Sequence, residues 1–148
     1  MPAMSNYLQN KFIDAMFRGT VYTPPTTLYI ALVTVASTPA ALGTEATYTG
    51  YARATVASNA ANWASTVSGT PGAATSAGGT LGATSNTNVI TIGGPNTGGT
   101  NSVVGFAIMD AITGGNELFY TALTNNKTIN SGDPAPTFPA SALGFSIA

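Results

Sequence analysis

Leu8, Phe12 and Met16 recur every four residues near the start of the chain, with Ile13 and Phe17 beside them. That spacing lines one wide face of an α-helix. Ser5 or Asn6 can cap its first turn, because a short side-chain oxygen accepts one of the free amides there. Asp14 precedes Arg18 by four residues, the favourable order for a helical ion pair. Gly19 supplies the left-handed stop, and Pro24 and Pro25 reinforce it. A helix over residues 5–19 is therefore predicted. Its apolar face either covers the sheet of its own chain or docks on a partner. Covering its own sheet is the ordinary case, and Phe12→Ala then costs about 3–5 kcal/mol.

After the helix the period changes from four to two. Residues 27–35 are aromatic and β-branched and apolar on both faces, as in a central strand of a layered sheet. Residues 51–57 alternate Tyr51, Arg53 and Thr55 against Ala52, Ala54 and Val56. Further short strands are predicted at 88–92, 103–110, 117–123 and 143–147, with a less patterned candidate at 64–67. Gly114 and Gly115 tolerate positive φ between two of these strands, so residues 111–116 read as a hairpin turn. Asn130 to Pro134 read as another turn. Residues 65–86 and 93–100 are almost all Ser, Thr, Gly, Ala, Asn and Pro, and read as long loops. The predicted fold is all-β: an antiparallel β-sandwich, jelly-roll or immunoglobulin-like, with one N-terminal helix and long Gly/Ser/Thr-rich loops. The 148 residues read as a single domain, helix 5–19 followed by a sandwich over 26–148.

Composition changes the picture. Lys, Arg, Asp and Glu make up 6% of the chain, against about 25% in an ordinary soluble domain. Solvated charge keeps proteins apart, so a chain this poor in it suits permanent packing against other protein. Lys11, Arg18, Arg53 and Lys127 are scattered, which argues against nucleic-acid binding. The apolar run at 28–35 is too short to span a bilayer as a helix, so no membrane partner is expected. Met1 to Asn6 lack a basic region followed by an apolar run, so no secretory signal is expected.

With no His and no Cys, a Ser-His-Asp or Cys-His nucleophile is impossible. The only lysine nucleophiles available are Lys11 and Lys127, and neither lies in a recognisable motif. Asp110 and Glu117 flank one hairpin and could approach as a carboxylate pair or, with Asn116 and Thr113, as a calcium site. Polar turn formers at strand ends are the commoner case. Gly93 to Gly99 lack the lysine of a phosphate loop and the spacing of a dinucleotide turn. Asn126-Lys127-Thr128 matches a glycosylation sequon, which without a secretory signal reads as chance. Trp63 with Tyr48 and Tyr51 could make a sugar-stacking surface, although core or interface aromatics are commoner. The expectation is a protein with no enzymatic activity, no cofactor and no metal.

Several blocks resemble a family of small virion proteins of tailed bacteriophages. They are Ser5 to Asp14, Arg18-Gly19-Thr20, Tyr22 to Leu32, Gly50-Tyr51-Ala52-Arg53, Phe106 to Ala111, Thr113 to Tyr120 and Lys127 to Asp133. The resemblance implies a structural role in the virion and brings no catalytic residues with it. Because the chain contains no repetitive shaft, the sequence favours a capsid cement or decoration protein on the outer shell, assembled in the host cytoplasm. The partners expected are the major capsid protein and further copies of the chain, as a trimer or dimer. The alternative is a small tail, baseplate or tail-fibre component, with host glycan as a ligand. Five residues are singled out as structural or interfacial: Leu8, Phe12, Met16, Arg53 and Trp63. Arg53 is expected to pair with a carboxylate or with carbonyls at a sheet rim or subunit seam. Trp63 exposed among aromatics would favour adhesion, and Trp63 buried between subunits would favour cement.

Overall fold

The computed structural model describes residues 3–64 and 83–146. The chain runs through β1 (Ala3–Met4), α1 (Asn6–Arg18), β2 (Thr27–Val33), β3 (Ala54–Ala57), β4 (Ala83–Ser85), β5 (Ile90–Thr91), β6 (Asn101–Met109), β7 (Glu117–Ile129), β8 (Thr137–Phe138) and β9 (Gly144–Ser146). Five strands form one antiparallel sheet in the order β1-β7-β6-β2-β3. β4 pairs with β9 and β5 with β8, both antiparallel, to give two short ladders. Most of the region predicted as loop at 65–86 lies outside the described residues, as do residues 65–67 of the candidate strand at 64–67; its described end is not loop, since Ala83–Ser85 form β4 by backbone pairing to β9.

The ladders pack on one face of the five-stranded sheet, and this gives the fold its sandwich-like layering. Phe106 of β6 meets Phe138 of β8 edge-on at 5.3 Å and Phe145 of β9 at 6.0 Å. Ile30, Leu32, Ile108, Leu118, Ile92 and Leu143 complete this main core. The opposite face of the sheet buries a smaller cluster of Ala31, Ala107 and Met109 under Leu42, Tyr29 and Tyr120. Coverage of both faces explains why β2 is apolar at every position from Leu28 to Val33. β2 lies between β3 and β6, as its two-faced pattern predicts.

The helix begins and ends at its predicted caps. Ser5 Oγ accepts from Leu8 N–H at 3.2 Å, and Gly19 takes φ 67° and donates to the Asp14 carbonyl. The Ser5 hydroxyl also donates to the Glu117 carbonyl, and the Ser5 amide donates to the Leu118 carbonyl at 3.0 Å. The start of α1 is thereby joined to the start of β7.

Two corrections to the sequence reading concern these elements. β7 extends six residues beyond the predicted strand, to Ile129. Its second half, Thr124 to Thr128, is polar and exposed; after a register shift, Lys127 to Ile129 pair with Asn101 to Val103 of β6. The second correction concerns the helix face. Leu8 is buried, but Phe12 and Met16 are not core residues: both are exposed, with Ile13 and Phe17. The residues of α1 turned at least partly toward the body are Tyr7, Leu8, Lys11, Asp14 and Ala15, with the Lys11 ammonium 5.6 Å from the centre of the Tyr7 ring. At 3.6 residues per turn Ile13 and Phe17 lie across the helix from Leu8, and Phe12 and Met16 lie on the flank between, turned away from the body.

Candidate docking surface

Glu45, Tyr51, Arg53 and Asp110 are engaged in holding the fold. Just before β3, Gly50 takes φ 104° with its Cα against the Pro95 carbonyl, where any Cβ would come within 2.3 Å of that oxygen. This tight crossing is what a glycine is needed for. It aims Tyr51 and Arg53 at Glu45. Arg53 Nε donates to Glu45 Oε2 at 3.2 Å and Nη2 donates to Oε1. Arg53 Nη1 donates to the Ala111 and Gly114 carbonyls at 2.6 and 2.8 Å, so the same guanidinium holds the β6–β7 turn. The Tyr51 hydroxyl donates to Glu45 Oε2 at 2.9 Å and accepts from Leu32 N–H at 3.1 Å. Burial alone would raise the Glu45 pKa, but the hydrogen bonds from Arg53 and Tyr51 and the guanidinium charge outweigh it and hold the carboxyl below its usual range. Burial, with the Glu45 contact added, pushes the Tyr51 phenol well above the ordinary tyrosine range.

Asp110 and Glu117 have different surroundings. Asp110 is a turn former, accepting from Asn116 N–H at 2.6 Å and from Asn116 Nδ2 at 2.8 Å. Glu117 departs from the turn-former reading: it is only 7% exposed, and neither carboxylate oxygen makes a hydrogen bond. Burial raises its pKa, and the nearby Ser37 hydroxyl offsets only part of that. Among the described residues no three His, Cys, Asp or Glu side chains gather in one place.

Trp63 also differs from the sugar-platform reading. It is 9% exposed and sits in the main core, edge-on to Phe145 at 6.1 Å. Tyr48 is buried too, edge-on to Tyr51 at 5.5 Å. These rings pack because their neighbours are apolar, so they present no flat aromatic face to solvent.

Two buried asparagines escape sequence reasoning. Asn86 donates through Nδ2 to the Asn88 and Pro139 carbonyls, each at 2.8 Å, and its Oδ1 accepts from Leu143 N–H at 2.9 Å. Asn96 Nδ2 donates to the Gly99 carbonyl at 2.8 Å, and its Oδ1 accepts from Gly98 N–H at 2.8 Å. In a stretch of Ser, Thr, Gly and Asn, nothing in the sequence separates these from solvated loop residues.

Several large apolar side chains are left exposed. Phe12 and Ile13 are about half exposed, Met16 64%, Phe17 79% and Val21 88%. This single contiguous stripe on α1 and the turn after it is bordered by the Asp14–Arg18 pair at 3.6 Å. Alongside the second half of β7 lies an open groove of about 420 Å³, lined by Leu32, Val103, Leu123, Ile129, Pro136 and Phe138, with Lys127, Asp133 and Ala135 also in its wall. No helix among the described residues is long and apolar enough to cross a membrane.

A protein-family model described as "Podophage GP4 fiber I protein gp80" matches residues 3–146, so the chain belongs to that family. It is thus a small structural virion protein of tailed phages, of tail-fibre-like kind. No curated protein matches the chain.

Proposed function

We propose that this member of the fiber-protein family is a non-catalytic component of the phage tail, carried in or on a fibre and held there by apolar contacts. The observation that carries the reading is the family match over nearly the whole chain, whose description is of a fiber protein. The outward face of α1 supports it, because a contiguous exposed apolar stripe of this kind marks an interaction surface. A non-catalytic role is supported by Arg53, Glu45 and Asp110, which are occupied in holding turns together. Decoration of the capsid shell, the role favoured on sequence grounds, has no comparable support, since the family description refers to a fiber.

Quantitative mass spectrometry of purified particles, together with gold-labelled antibody, tests the assignment. Tens of copies with label at the tail are expected. Hundreds of copies with label over the head would overturn the tail reading in favour of cement. A hydrolase activity of the purified protein that disappears in Asp110→Asn would overturn the non-catalytic one.

A further inference from the structure

The geometry points to head-to-tail association between copies of this chain, the apolar stripe on α1 of one copy seating in the groove alongside the second half of β7 of the next. This rests on the reading of α1 as an assembly surface. It adds the occupant: a second copy, at a different site from the stripe itself.

Three observations carry it. The first is shape. The stripe is a convex ridge with Phe17 and Met16 at its crest, whereas the groove is concave, apolar and about 420 Å³, room enough for an aromatic side chain with a neighbour. Second, the few charges correspond. Asp14 and Arg18 border the ridge, and Lys127 and Asp133 line the groove. An acid and a base thus face a base and an acid in a chain with only nine charged side chains, four basic and five acidic. Neither Lys127 nor Asp133 has an ion-pair partner among the described residues. Third, the two features cannot meet within one copy. Ser5 fixes α1 to the first residues of β7, while Lys127 and Ile129 of the groove stand at its other end, roughly 20–25 Å away along the paired strand.

The ridge exposes on the order of 500 Å² of apolar side chain, more than the groove can cover, so seating Phe17 with a neighbour buries less than the roughly 1,000 Å² of a stable interface and association is expected to be weak and concentration-dependent. A heterologous contact of this kind propagates into rings when the rotation closes and into filaments when it does not.

Two variants of the full-length chain test the idea by light scattering and sedimentation. Phe17→Glu removes the ridge at a side chain that contributes little to the fold, and Ala135→Arg, in the wall of the groove, fills it. The wild type is expected to associate with rising concentration. Each variant alone is expected to associate at least tenfold more weakly. An equimolar mixture should form a one-to-one pair and stop, because the ridge of one variant and the groove of the other survive. Ala135→Arg associating like wild type while Phe17→Glu does not would show ridge-to-ridge pairing and overturn the proposal. A wild type that stays monomeric at millimolar concentration would also overturn it. If Ala135→Arg fails to fold, charge exchange serves instead. Lys127→Glu should weaken association and mixing it with Asp14→Lys should restore it, whereas no effect of either exchange would count against the groove. Because these measurements use the free chain, they fail or succeed independently of where it sits in the particle.

Discussion

Glu45 and Arg53 are joined at two points, Nε to Oε2 at 3.2 Å and Nη2 to Oε1, and the remaining nitrogen of the guanidinium reaches across to close the β6–β7 turn. Arg53 is buried, and four of its hydrogen bonds depend on a planar fork that lysine lacks. Arg53→Ala should therefore destabilise by about 2–4 kcal/mol, because the half-buried Glu45 carboxylate and two turn carbonyls lose their donors. Arg53→Lys should lose about 1–3 kcal/mol, because carbonyls at the turn go unsatisfied. Urea unfolding of the three proteins checks this, and equal midpoints for lysine and arginine would show that charge alone suffices.

Acid titration should reveal two carboxylates of opposite sign. The folded-state pKa of Glu45 lies below its usual range, so its contribution is present above the unfolded-state value of about 4.3 and is lost as pH falls through the folded one. The folded-state pKa of Glu117 is raised, so its contribution is present below about 4.3 and is lost as pH rises through the folded one. At neutral pH Glu117→Gln should consequently be the more stable protein, by about 1–3 kcal/mol. Its stability should only decline on acidification, without the offset seen in wild type. A less stable Glu117→Gln at pH 7 would mean that the carboxylate has a partner.

The two buried asparagines should be among the most sensitive polar positions. Asn86→Ala leaves the Leu143 amide and two carbonyls without their partners and should cost about 2–4 kcal/mol. Asn125→Ala, on the exposed part of β7, should stay within about 0.5 kcal/mol of wild type. Thermal melts of both variants compare the sites directly.

The helix should respond to mutation on one side only. Leu8→Ala opens the core and should cost about 2–5 kcal/mol. Phe12→Ala, on the outer side, should cost under about 1 kcal/mol when melted at low concentration, where association does not contribute. A loss above about 3 kcal/mol for Phe12→Ala would mean that the face is covered by the chain's own residues.

The parts of the fold legible in the sequence are those where one local rule decides the outcome. Ser5 and Gly19 mark the helix because capping needs those residue types, and residues 27–35 show a two-faced apolar run because β2 is buried on both sides. The second half of β7 was not legible. Lys127 to Ile129 are held by backbone pairing to Asn101 to Val103 of β6, Thr124 to Asn126 lie in the register shift before them, and the side chains of Thr124 to Thr128 are in solvent, so no hydrophobic period reveals the segment. The orientation of α1 was hidden for a related reason. An amphipathic pattern says that a helix has an apolar face but not whether that face turns inward, and here the body takes Tyr7, Leu8, Lys11, Asp14 and Ala15 instead. In the candidate site, Arg53 stands out as a lone charge beside an apolar strand. Its partner Glu45 does not, because the approach depends on how Gly50 crosses Pro95.

The bond from the Ser5 hydroxyl to the Glu117 carbonyl spans 112 positions of sequence. During translation the segment that becomes α1 leaves the ribosome long before the strand that seats it. At about 5–20 residues per second, the interval is roughly 5–20 s. Throughout it Leu8 has no core to enter, and the other apolar residues of the helix are as bare as they are in the finished protein. A helix made well before its seat is thus among the last elements to be fixed, and its greasy side is on offer in the meantime. Newly made copies on neighbouring ribosomes of one message can meet through it before either has closed its sheet.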